Sequence, residues 1–261
     1  VCCKKISKYI SLSSTIMSTA VVDHEISDSD KISPCHDAYF APDPKKYCDL
    51  QALSYSPMVA VLPDYCNTLF DCACLFGNTS LACMYGWDFA RSCEYWAADK
   101  PLTDEEREKT LLGRRIHIIG LDGSPKAVEY SKRMNIIDQG IVQNFEHEMS
   151  AETGAGLEKA DTWVMQQCLS YMPLDHLHTW MKAFLKDRSR PKRFIYDFNR
   201  YFDTTRDMTP KALLKDIPSW KLTTEKFYAY RQKTDEEFSI SQENGRDMCV
   251  YHYVVDFDPV A

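Results

Sequence analysis

The stretch RRIHIIGLDGSPKAVEYSKRMN, residues 114 to 135, most narrows what this chain can become. Its apolar run reads as a buried strand, the kind found in parallel sheets covered on both faces. The run ends at Asp122. Ser124 then supplies a helix N-cap and Pro125 a first-turn proline, and the following residues predict a helix with Ala127, Val128, Ser131 and Met134 facing inward.

The same alternation of β-rich and helical segments continues past residue 45, which is the pattern of an open α/β sheet. NTLFDCACL (67 to 75) is expected as a strand, followed by a turn at Phe76, Gly77 and Asn78 and a helix over TSLACMYG. GIVQNFEHE (140 to 148) is a third strand with Asn144 toward its polar end, and ADTWVMQQCLSYM (160 to 172) is a fourth. After it, DHLHTWMKAFLK places Leu177, Met181, Phe184 and Leu185 on one helical face. KRFIYDFNRYF (192 to 202) is a fifth strand. The last two, WKLTTEKFYAYRQ and DMCVYHYVVDF, flank a polar turn with Asn244 and Gly245 and read as a terminal antiparallel hairpin.

Residues 87 to 113 form an insertion between the first two strands, with a helix announced by a capping box, Thr103 with Glu106, and a stop at Gly113. Residues 1 to 44 read as a flexible arm, so the folded domain is expected over 45 to 261. The opening VCCKKISKYISLSSTIM is either a targeting remnant or an extension ahead of a start at Met17. No run approaches the ~18 apolar residues of a spanning helix, so no membrane role is expected.

A formal net charge of −7 argues against a general nucleic-acid binder, which needs a basic face for phosphates. The eleven cysteines lie scattered through apolar segments, as at Cys83, Cys93, Cys168 and Cys249. They are expected to be buried reduced thiols, which points to the cytoplasm. Cys72 and Cys74 form a C-x-C with no second ligand pair, so no metal site is expected.

In an open parallel sheet, ligands bind outside the carboxyl ends of the strands, where strand order reverses. An aspartate closing the second strand, Asp122, can accept both hydroxyls of a ribose. Asn144 can reach an adenine amino group while Phe145 lies along the ring. The first turn lacks the glycines of a diphosphate loop: Ala73 and Leu75 stand where glycines are needed, and Phe76 crowds the turn. That disfavours NAD or FAD, and with them a nicotinamide-dependent oxidoreductase. S-Adenosylmethionine fits better, because it has no phosphate and carries an ammonium that Asp71 can help to hold.

On these residues the sequence resembles the class I S-adenosylmethionine-dependent methyltransferases. LFDCACLFGNTSLA resembles the family's first motif, V/L-L-D-x-G-C-x-x-G; IIGLDGSPKAVEYSKRMNIID resembles its second; ADTWVMQQCLSYMPLDHL resembles the segment around the fourth strand. The likeness runs over about residues 45 to 256 and is nearest to small bacterial-type members with C-S-Y-G in the first motif. It implies a Rossmann-like, mostly parallel sheet of seven strands, helices on both faces and an antiparallel C-terminal hairpin. Asp71, Ala73 and Gly77 would then surround the methionine part of the cofactor, Asp122 the ribose, and Asn144 with Phe145 the adenine. Asn78, Gly123 and Gln167 complete the candidate cofactor set. Ala73 departs from the family's first glycine.

Methyl transfer rests largely on holding a lone pair in line with the sulfonium carbon, and a base is needed only for a protonated acceptor. Tyr171 and His176 are the candidate catalytic residues; His178 is weaker. Tyr47 and Tyr55 are candidates to wall the acceptor pocket, and Arg200 with Tyr201 to hold a substrate. The expected activity is methyl transfer to an O or N atom of a small molecule. The alternative is a catalytically silent methyltransferase-like domain acting as a binding or scaffold protein.

Overall fold

The computed structural model describes residues 62–145, 147–166, 168–169, 172–199, 207–229 and 249–260. The order of elements is β1 (Thr68–Cys72), α1 (Asn78–Tyr85), α2 (Phe89–Ala98), α3 (Asp104–Glu108), β2 (His117–Asp122), α4 (Pro125–Arg133), β3 (Gln139–Val142), α5 (Ala151–Lys159), β4 (Thr162–Met165), α6 (Leu174–Phe184), β5 (Lys192–Asn199), α7 (Pro210–Leu213), β6 (Trp220–Ala229) and β7 (Cys249–Phe257).

The seven strands form one sheet in the order β3-β2-β1-β4-β5-β7-β6. Strands β1 to β5 run parallel, and β7 enters antiparallel between β5 and β6. This is the expected Rossmann-like sheet with its antiparallel hairpin. The direction of chain progression reverses between β1 and β4, so a cleft opens beyond their carboxyl ends.

Alternate residues of each strand feed two cores. Phe70, Ile119, Leu121, Trp163, Phe194 and Tyr196 pack against α5 and α6 through Leu157, Leu177, Trp180, Met181 and Phe184. Leu69, Ile118, Val164, Ile195 and Val254 pack against α1, α2 and α4 through Leu81, Trp96, Val128 and Met134. Helices therefore cover both faces, which explains the near-continuous apolar strands. In α4 the expected inward residues Ala127, Val128, Ser131 and Met134 are all buried, and Ser124 caps the helix by accepting the Ala127 amide.

Several expected boundaries move. The third strand stops at Val142 rather than 148, as befits an edge strand with one neighbour. The fourth ends at Met165 rather than 172, beyond which the chain leaves the pairing with β1 and β5. The insertion holds two helices instead of one. Its capping box forms as expected, but α3 ends at Glu108: the Leu111 amide binds the Met84 carbonyl of α1, which draws the chain away from the helix axis. Helix α5 has no counterpart in the sequence reading.

Cys66, Cys72, Cys74, Cys83 and Cys168 are buried and free, as expected of reduced thiols. Cys93 departs from that expectation, being half-buried and disulfide-bonded. It lies on a partly exposed side of α2 rather than inside the core, where a second sulfur has access. Among the described residues no helix is long and apolar enough to cross a membrane. Residues 1 to 61, and with them the arm, the domain boundary, Tyr47 and Tyr55, lie outside the described residues, as does the turn with Asn244 and Gly245.

Candidate functional site

The loop that follows β1 is bent by residues in the left-handed region: Ala73 (φ 62°), Leu75 (φ 43°) and Gly77 (φ 80°). Only glycine adopts that region without steric cost, so Ala73 and Leu75 hold a strained turn that neighbouring contacts must stabilise. Those contacts are visible. The Cys74 amide donates to the Leu121 carbonyl at 2.9 Å, the Leu75 amide to Asp122 Oδ2 at 3.0 Å, and Ser131 Oγ to the Leu75 carbonyl at 2.8 Å. Trp96 Nε1 donates to the Phe76 carbonyl at 3.1 Å. Phe76 is itself buried, edge-on to Trp96 and Tyr130, so it packs inward.

Gly77 is required for a second reason. A Cβ there would lie 2.6 Å from Ile136 Cγ2. The backbone of the turn thus packs closely against the Ile136 side chain, from the loop between α4 and β3.

Asp71, the next-to-last residue of β1, lies on the α1 face of the sheet and is fully buried. Its Oδ2 accepts the Ser80 hydroxyl at 2.6 Å, while Oδ1 has no partner among the described residues. Burial pushes its carboxyl up to about 7; the hydrogen bonds from Ser80 oppose that rise, and Asp122 adds to it. Asp122, closing β2, receives the Ser124 amide on Oδ1 at 2.8 Å and the Leu75 amide on Oδ2. Burial raises it to about 6 against three backbone amides, from Ser124, Leu75 and Gly123. A carboxylate has roughly four lone-pair sites, so acceptor capacity remains on each oxygen for hydroxyls of a ligand.

The other expected residues distribute as follows. Asn78 opens α1 and is buried, and Thr79 beside it donates to Gln166 Oε1 at 2.6 Å, tying the helix start to the end of β4. Gly123 is half-exposed in the turn after β2. Asn144 and Phe145 follow β3 and are both buried; the Phe145 ring meets Trp180 edge-on, with centroids 6.1 Å apart. His176 Nδ1 lies 3.0 Å from the Phe145 carbonyl, and so links α6 to the loop after β3. Gln167, Tyr171, Arg200 and Tyr201 lie outside the described residues. The structure thus brings Asp71, Ala73, Gly77, Asn78 and Asp122 to one end of the sheet around the β1 turn.

The sequence reading missed a pair on the same face. Asp197 of β5 lies opposite His252 of β7, with Oδ1 2.7 Å from His252 Nδ1 and both residues buried. Asp197 sits inside the YDFN run already assigned to a strand end, but its partner is 55 residues away in sequence and only the register joins them.

No family model matches the chain, and no curated protein matches it. Among solved structures it is similar to the plantazolicin methyltransferase BpumL in complex with SAH, at 14% identity over 97% of this chain and 99% of that one, with a TM-score of 0.45. It is also similar to an S-adenosylmethionine-dependent methyltransferase from Mesorhizobium loti, at 12% identity over 75% of this chain and 93% of that one, with a TM-score of 0.43. At this level of similarity the fold rests on the chain's own strand order and register.

Proposed function

We propose that the protein is an S-adenosylmethionine-dependent methyltransferase that transfers a methyl group to an O or N atom of a small-molecule acceptor. The observation that carries the reading is two buried carboxylates on one face of the sheet, Asp71 in β1 beside the point where strand order reverses and Asp122 at the end of β2, next to a glycine-poor turn. A diphosphate would be repelled by two acids and would find few accessible amides there: the Leu75 amide is already given to Asp122. A sulfonium with an ammonium and a ribose suits the same groups. Asp71 would hold the ammonium, Asp122 the ribose hydroxyls, and Asn144 with Phe145 the adenine; Ala73, Gly77, Asn78, Gly123 and Gln167 would frame the ligand.

When bound, this cofactor supplies an electrophilic methyl on a good leaving group, and the protein's work is placement. Tyr171 and His176 are proposed beside the transferred methyl, with Tyr47, Tyr55, Arg200 and Tyr201 forming the acceptor pocket. Five buried free thiols support placing the protein in the cytoplasm, and the disulfide at Cys93 counts against it. Calorimetry with S-adenosylmethionine and S-adenosylhomocysteine tests the reading, and folded protein that binds neither at millimolar concentration would overturn it.

A second reading, a silent methyltransferase-like domain, draws on Asp122, whose two oxygens both serve backbone amides and so have a structural task without any ligand. It predicts that the cellular activity of the protein survives a folded variant that no longer binds S-adenosylmethionine, whereas an enzyme loses it.

A further inference from the structure

Two carboxylates on one face of the sheet each leave an oxygen unused. Asp71 gives Oδ2 to Ser80 and Asp197 gives Oδ1 to His252, while Asp71 Oδ1 and Asp197 Oδ2 are buried without a hydrogen-bond partner among the described residues. Buried polar atoms are nearly always paired, and an unpaired carboxylate oxygen is the costliest exception. Among the described residues no Lys or Arg forms an ion pair with either acid. Both stand near the carboxyl ends of their strands and both face α1, whose Cys83 thiol is pushed up by burial first and then by Asp71 and Asp197 among its neighbours. Among the described residues Asp71 therefore has no cationic partner, and Asp197 has only His252, on its Oδ1.

The spacing of the two acids is informative. Asp71 pairs with Val164, which pairs with Ile195, and Asp197 lies two residues farther along β5. Strand spacing and rise put the two acids roughly 12 Å apart. An ammonium at Asp71, a three-carbon chain to a sulfonium, its methyl, and an acceptor atom ~3 Å beyond in line cover about that span. One cation at each end would neutralise both carboxylates.

We propose that Asp197 binds the basic nitrogen of the methyl acceptor, so that the acceptor is an amine; this rests on the methyltransferase reading and selects N over O within it. His252 is the positioning residue, fixing the carboxylate through Oδ1 so that Oδ2 takes the ligand. The amine arrives as an ammonium and passes one proton to Asp197 Oδ2. The freed nitrogen lone pair then forms the N–C bond as the S–C bond breaks, and that electron pair stays on sulfur. A sulfonium and an amine thus become a neutral thioether and a methylammonium, with charge conserved. Burial, which holds the Asp197 carboxyl above its ordinary range against the pull of His252, favours its taking the proton.

The test uses the full chain and two analogues of S-adenosylhomocysteine with nitrogen in place of sulfur, one bearing an aminoethyl arm and the other an isosteric propyl arm. Calorimetry of wild-type protein is expected to show the aminoethyl analogue binding at least tenfold more tightly. Asp197→Asn is expected to bind S-adenosylhomocysteine as wild type does and to lose the preference, and His252→Gln to reduce it. Equal affinities in wild type, or a preference kept in Asp197→Asn, would overturn the inference; the wild-type comparison alone decides even if a variant fails to fold. Should folded wild type bind no S-adenosylhomocysteine at all, the cofactor reading falls and this inference with it. Binding without preference sinks only the amine assignment.

Discussion

Asp122 Oδ2 lies 3.0 Å from the Leu75 amide, so the acid that closes β2 also holds the turn that follows β1. Its other oxygen takes the Ser124 amide at the start of α4. One carboxylate thus couples the two loops that the cofactor would touch. Asp122→Asn places an NH2 group against one of these amides, exchanging an attraction for a repulsion. Each lost bond to a charged acceptor is worth about 1.5–3 kcal/mol. Urea unfolding is expected to show a loss in that range, and calorimetry a drop in S-adenosylhomocysteine affinity of about tenfold or more. Unchanged affinity would separate Asp122 from the ligand.

Two small substitutions in the same turn should act in opposite directions. Ala73 sits at φ 62°, where its Cβ costs about 1–2 kcal/mol. Ala73→Gly removes that cost but loosens the unfolded chain by about 0.4–1 kcal/mol, so a net gain near 1 kcal/mol is expected in urea unfolding. Gly77→Ala meets both a left-handed φ and Ile136 Cγ2 at 2.6 Å, and should lose at least about 2 kcal/mol. A stabilised Ala73→Gly that also binds cofactor no worse would mean that the departure at position 73 is a matter of backbone strain rather than lost function.

Burial raises Asp71 to about 7 and Asp122 to about 6, both above their unfolded values. Between pH ~4 and ~7 the folded chain therefore binds more protons than the unfolded one, and stability falls as pH rises through that window. The urea midpoint of the ligand-free protein should be higher at pH 5 than at pH 8. Asp71→Asn should reduce that slope and leave the part owed to Asp122 and Asp197, and an unchanged slope would assign it to other groups.

The residues that carry local signals were legible in the sequence. Ser124 and Pro125 announce α4, the apolar run announces β2, and Thr103 with Glu106 announces the start of α3. Helix α5 was hidden because Gly154 and Gly156 lower helix propensity, and the need for glycine is tertiary: a Cβ at 156 would lie 2.9 Å from Phe70 Cε2 of β1. Likewise Asp71, Asp122 and Gly77 could be picked out because each stands at a turn beside its own strand. The Asp197–His252 pair could not, since a contact made by strand register leaves no mark in either local stretch.

A buried ion pair is among the contacts that tie the insertion to the domain. Arg107 of α3 is buried and grips Asp138, before β3, in a two-point contact of 2.8 and 2.6 Å, and Asp138 also receives the Ile118 amide at 2.8 Å and Arg115 at 3.0 Å. Burial alone would raise the Asp138 carboxyl, but the Arg107, Ile118 and Arg115 donors outweigh it and hold it down at about 2. Its contribution to stability is therefore complete above pH ~4 and lost as pH falls toward 2. Asp138→Ala strands the Arg107 guanidinium in the interior and should cost about 3–5 kcal/mol. Arg107→Met should cost less, about 1–2 kcal/mol, because Asp138 keeps Arg115 and the Ile118 amide. Urea unfolding of both variants at neutral pH checks the asymmetry, and equal losses would mean that Arg107, once stranded, finds water or another acceptor.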